Sequence, residues 1–181
     1  VAYIETLPIL KAAKAFVQRI PHPTAAPAPL FQRVEFYDTD DLSKALQELV
    51  IAEQSVCLII PRGDHYRSVK EGRSMLSERD TDFEFVLADR SFAKAGADAK
   101  FGGPANVGVV VMKEILVKAL AADCTLGGLP FVTMMPTTGA FISLKDSDRG
   151  PSREAWVQGV TTPTGALRTD LNRIRQTTPA I

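Results

Sequence analysis

Hydrophobic and polar positions along the chain alternate with two periods. Over residues 5–20 the apolar set Leu7, Leu10, Ala13, Phe16, Val17 and Ile20, with Ala15 and the preceding Ile4, forms one broad face. Lys11, Lys14, Gln18 and Arg19 mark the wetter side, and this spacing predicts an amphipathic helix. Pro8 fits only if it lies in the first turn. Residues 42–52 repeat the pattern through Leu42, Ala45, Leu46, Leu49 and Val50, with Asp38–Asp41 as an acidic N-terminal cap. Residues 105–122 predict a third helix through Val107, Val110, Val111, Ile115, Leu116 and Leu120. Short-period stretches lie between them. Residues 30–37 are aromatic and roughly alternating, and 55–60 are apolar throughout, as in a central strand buried on both faces. Residues 81–88 set Phe83, Phe85 and Leu87 against Asp82, Glu84 and Val86. Residues 131–135, 140–144 and 153–161 complete the predicted strands.

The intervening segments read as connections. Residues 21–29 hold four prolines and are expected to run extended. Residues 61–79 and 89–104 are expected to be long polar loops, the second ending in a glycine-rich turn at Gly102-Gly103-Pro104. Residues 162–181 carry no core pattern and are expected to form a basic C-terminal arm. The fold class that follows is an α/β chain, a mixed β-sheet packed against helices (an α+β sandwich), with extended loops and that arm. One domain is expected over 1–161, including the proline-rich linker 21–29.

Composition narrows the function classes without choosing one. The chain has 181 residues, of which 45% are hydrophobic and 23% charged, and its 21 basic side chains equal its 21 acidic ones. Such a balance gives no global signal for nucleic acid. Two cysteines far apart make neither a disulfide framework nor a zinc site, and Cys57 is expected to be a buried free thiol. No signal-peptide pattern and no membrane span is expected.

The densest collection of reactive side chain types is CLIIPRGDHYRS, residues 57–68. Neither a nucleophile elbow nor a paired-histidine zinc motif accompanies His65. The reading is therefore a surface, with no catalytic residue, no metal and no cofactor. Arg62, His65, Arg67, Lys70 and Arg73 form a loop candidate for contact with another subunit or with DNA phosphates. Arg168, Arg173 and Arg175 form an arm candidate. Phe101 and Leu171 are hydrophobic anchor candidates, and Trp156 is read as core.

The order of elements, with landmarks at 5–20, 30–37, 55–60, 81–87, 105–120, 131–135 and the closing REAWVQGV at 153–160, resembles the tail terminator proteins of long-tailed bacteriophages. That resemblance implies a structural virion protein. It would be a homo-oligomeric ring, a hexamer, that caps the tail tube protein and meets the head connector or neck protein. DNA would pass through its lumen with non-specific contact, and the virion tail or neck would be assembled in the host cytoplasm. The extra length at 21–29, 89–104 and the C-terminus departs from the compact form and leaves another neck, tube or baseplate subunit as the alternative. A small enzyme using residues 57–67 is the third reading.

Overall fold

The computed structural model describes residues 6–37, 55–71, 74–91, 97–104, 106–128, 133–144 and 152–170; side chains are described for these except at 69–71, 74–77, 91, 97, 143–144, 152–153 and 163–170. The expected helix at 42–52 and its acidic cap at 38–41 lie outside them.

Helix α1 spans Thr6–Gln18 and buries Ile9, Ala13, Phe16 and Val17. These residues recur every three or four positions, so they share one stripe. Pro8 sits in the first turn, where its missing N–H costs no helical bond. The chain then reverses. Residues 21–29 are not an extended linker: Pro21 bridges Pro29, His22 N–H donates to Ala28 O at 2.8 Å, and Leu30 N–H donates to Ile20 O at 2.8 Å. Proline supplies too few donors for a strand or helix, so the segment closes on itself through the few N–H groups it has.

Strand β1 (Arg33–Phe36) pairs in parallel with β2 (Ser55–Glu71), Arg33 opposite Val56 and Phe36 opposite Ile59. β3 (Ser74–Ser91) is antiparallel to β2, β5 (Ser152–Asp170) is antiparallel to β3, and β4 (Met135–Leu144) is antiparallel to β5. The five-stranded sheet has the order β1-β2-β3-β5-β4, a mixed sheet with helices, in agreement with the expected fold class. Short helix α2 (Ala97–Phe101) precedes α3 (Val109–Ala122).

Both faces of the sheet's central region are buried. On the helical face Cys57, Ile59, Phe83, Phe85, Leu87 and Val160 pack with the stripe of α1 and with Met112, Leu116 and Leu120 of α3. On the opposite face Val56, Leu58, Val86, Ala88 and Ala155 form a second cluster. This accounts for the uninterrupted apolar run at 56–60, whose alternate side chains enter different cores. Along β3 the outer-face positions change from Asp82 and Glu84, half-buried, to Val86 and Ala88, buried. That change marks where the second core ends.

The expected loop at 61–79 is the main correction. β2 runs on to Glu71 and β3 begins at Ser74, paired from Ser55↔Asp89 to Glu71↔Ser74. A half-buried strand shows itself by alternating burial, and residues 61–68, exposed throughout, do not display it. Residues 162–170, expected as the start of an extended arm, are extended but paired: they continue β5 alongside β3, with Ser74 opposite Asp170. The predicted strand at 140–144 lies in β4, which starts earlier, at Met135, and has a register shift between Pro136 and Gly139. Of the strand expected at 131–135 only Met135 belongs to it, Thr133 and Met134 being non-strand and 131–132 lying outside the described residues. In the expected 89–104 loop, β3 extends to Ser91 and 97–101 are helical.

Candidate functional site: a charged ribbon beyond the core

Among the described residues β1 accompanies β2 as far as Ile59, and β4 accompanies β5 as far as Thr161. Past those points β2, β3 and β5 continue with no further strand beside them among the described residues, down to Glu71↔Ser74 and Ser74↔Asp170. The continuation is a three-stranded ribbon. Its eight-residue β5 portion, 163–170, spans about 26 Å at about 3.3 Å per residue.

The root of the ribbon carries a bulge, with the register slipping between Pro61 and Gly63. Gly63 has φ 149°, a conformation open to glycine at no steric cost. After the bulge, side chains sort to two faces. On one, Arg62 Nη2 meets Glu84 at 2.5 Å, His65 Nε2 meets Asp82 at 2.8 Å and Arg67 Nη2 meets Glu78 at 2.7 Å. The Glu78 hydrogen bond raises the Arg67 pKa further. On the other face Asp64 accepts from Thr81 Oγ1 at 2.8 Å and from Tyr66 OH at 3.3 Å. Arg79, only 3% exposed, approaches Asp64 at 3.7 Å and donates to Thr6 Oγ1 of α1 at 3.4 Å. Arg79 thereby links the ribbon's root to the start of the first helix.

The expected loop candidates are thus strand residues. Arg62, His65 and Arg67 come together on one face, and each has a carboxylate partner across the strand pair. This face therefore presents paired charges. Its cations and carboxylates alternate. Lys70 lies on β2 opposite Met75, and Arg168 lies on β5 opposite Leu76. Arg73, Leu171, Arg173 and Arg175 lie outside the described residues. Phe101 is not on the ribbon. It ends α2, 62% exposed, on a cleft of about 680 Å³ that it shares with His22, Asn106 and Val111. Trp156, read as core, is half-buried against the helical-face cluster and meets Phe141 edge-to-face at 4.7 Å.

Individual groups in the CLIIPRGDHYRS stretch do not form a reacting pair. Cys57 is fully buried in the helical-face core, and burial pushes its thiol well above the ordinary range, so it stays protonated. The His65 side chain is 77% exposed and pairs with Asp82. Among the described residues, no three His, Cys, Asp or Glu side chains are grouped to hold a metal ion, and no helix is long and apolar enough to cross a membrane.

One buried polar centre has little signature in the sequence. Asp89, at the end of β3, is fully buried. Its carboxylate accepts from Gly108 N–H at 2.8 Å, Asn106 Nδ2 at 3.0 Å and Arg90 N–H at 2.8 Å. Burial outweighs these bonds and raises its pKa to about 6. The carboxylate fixes the start of α3 to the sheet, at the positive end of the helix. Its sequence signal is weak: one acidic residue after an apolar run, which also reads as the first residue of a loop.

Compared with known proteins, the chain matches no protein-family model, and no curated protein matches it.

Proposed function

We propose that this protein is a ring-forming structural virion protein, placed at the head-proximal end of a phage tail, where it ends the tube and meets the head connector. The observation that carries this reading is the ribbon. Three strands continue beyond both flanking strands, and residues 61–68 of β2 are exposed throughout. Ordering each such residue costs about 1–2 kcal/mol of backbone entropy, while exposed ion pairs return about 0–1 kcal/mol apiece. A monomer gains little from such an extension. An assembly gains a wall. In a ring, ribbons side by side would line the lumen with alternating cations and carboxylates, a surface that passes DNA without gripping its phosphates.

Mass photometry of the purified chain, with and without tail tubes, tests the reading. The expected result is a closed oligomer of uniform mass that binds tube ends. A monomer at high concentration that ignores tubes would overturn it. In a phage lacking the protein, overlong tails mark a terminator, whereas tails of normal length with unjoined heads mark a neck component.

A further inference from the structure

We propose that neighbouring copies join through the two edges of the ribbon, β2 of one copy along 61–71 pairing in parallel with β5 of the next along 163–170. The inference rests on the ring reading and says which backbone closes the ring.

Among the described residues, no strand pairs with the outer side of β2 beyond Ile59, or with that of β5 beyond Thr161. Each leaves a row of outward N–H and C=O groups, which is a template for another strand. Prolines stand at both roots. Pro61 is opposite Phe83 and Pro163 is opposite Asp80, each where its strand has just lost its neighbour. Proline has no N–H to donate, so it suits the first residue of an edge. Below them, 62–71 and 164–170 contain no further proline, and each non-proline residue keeps its N–H.

Strand direction decides the geometry. β2 and β5 are each antiparallel to β3, so they point the same way. They are also on opposite sides of the ribbon and at the same level of the sheet. Copies related by rotation about a ring axis keep all ribbons pointing alike, so the facing strands of neighbours must run parallel. A contact between two different edges is head-to-tail, and it closes when the rotation closes. Pairing of β2 with β2 would instead give an isologous dimer and leave both β5 edges open. Charge offers no obstacle to the head-to-tail contact. Arg62, His65 and Arg67 are already matched by Glu84, Asp82 and Glu78 within one ribbon. Closure also removes every ribbon edge, with three strands from each copy in a continuous wall.

The test uses the full chain with Cys124→Ser, leaving the buried Cys57 in place. A cysteine is placed at Tyr66 or Ser68, both exposed, and a second is moved one residue at a time from Thr164 to Thr169. Oxidation and denaturing electrophoresis read intermolecular disulfides, which need Cα atoms within about 7 Å. The expected result is a ladder of linked chains at one or two β5 positions. Moving the first cysteine from Tyr66 to Ser68 should move the best partner forward by two. A backward move means antiparallel pairing and overturns the proposal. So does a ring of confirmed mass with no link at any position, and that outcome leaves the ring reading standing. A strictly monomeric protein overturns both. In the unsubstituted protein, amide exchange at 61–71 should slow at least tenfold on assembly; unchanged exchange in a confirmed ring counts against edge pairing.

Discussion

The Asp89 carboxylate accepts the Gly108 N–H at 2.8 Å, across nineteen residues of chain. It is a sheet-to-helix clasp, built from a charge kept out of water. The same burial that makes the clasp places its pKa near 6, above the value of about 3.9 for an unfolded aspartate. The folded state therefore holds the proton more tightly than the unfolded state. Stability from this group is fully present below about pH 4 and is lost as pH rises through 6. Two pKa units correspond to about 3 kcal/mol. Asp89→Asn cannot titrate, so the stability of the wild-type chain relative to that variant should fall by about 2 kcal/mol between pH 4 and pH 7. Urea denaturation at four pH values measures it. Parallel profiles for the two proteins would show that Asp89 does not titrate in this window.

The partner side of the clasp is just as constrained. Gly108 has φ 81°, and a Cβ there would lie 2.2 Å from the Gly102 backbone nitrogen. Gly128 has φ 91° but nothing within 4 Å of the same position. Gly128→Ala should thus cost only the backbone strain, about 1 kcal/mol, whereas Gly108→Ala adds a clash with main chain and should cost about 3 kcal/mol or more. Thermal melts of the pair separate the two effects. Equal costs would mean that the Phe101–Gly102 turn yields.

The core residues and the ribbon differ in how much of themselves they write into the sequence. Phe83, Phe85 and Leu87 alternate because one face of β3 is packed on helices, and that alternation by itself locates the strand. The stripe of Ile9, Ala13, Phe16 and Val17 locates α1 in the same way. From Arg62 to Glu71 both faces of β2 are largely polar, so strand periodicity leaves no hydrophobic trace and the segment reads as a loop. The candidate side chains Arg62, His65 and Arg67 stand out by type. Their carboxylate partners do not, because Glu78, Asp82 and Glu84 become neighbours only through the long antiparallel register. Asp89 is hidden for a related reason: its donors, Asn106 and Gly108, come from the other end of an intervening segment.

The Arg67–Glu78 rung tests how much the ribbon's charges matter to the fold. Its two residues are directly opposed in the register, and Arg67 donates to Glu78 from both Nε and Nη2. Both are well hydrated, so a double-mutant cycle with Arg67→Ala and Glu78→Ala should give a coupling below about 1 kcal/mol. Coupling should shrink further in 1 M salt, where the screening length falls to about 3 Å. A coupling of about 2 kcal/mol or more would mean that the rung is shielded from water even in the isolated chain.

Trp156 offers an optical test of the β4 edge. It is the sole tryptophan in the chain. Its ring stands edge-to-face on Phe141, and its Nε1–H donates to Gln158 Oε1 at 3.2 Å. A Cβ at Gly139 would lie 2.4 Å from Trp156 Cζ2, so the missing side chain on β4 is what makes room for the indole. Gly139→Val should force the ring out of this seat at a cost of about 1–3 kcal/mol, with a red shift in its emission as it meets water. Ala140→Val, at an exposed position beside it, should leave both stability and spectrum within error of the wild type. An unshifted spectrum for Gly139→Val, with unchanged stability, would show that β4 moves aside instead and that the register between Gly139 and Gln158 is not fixed by the tryptophan.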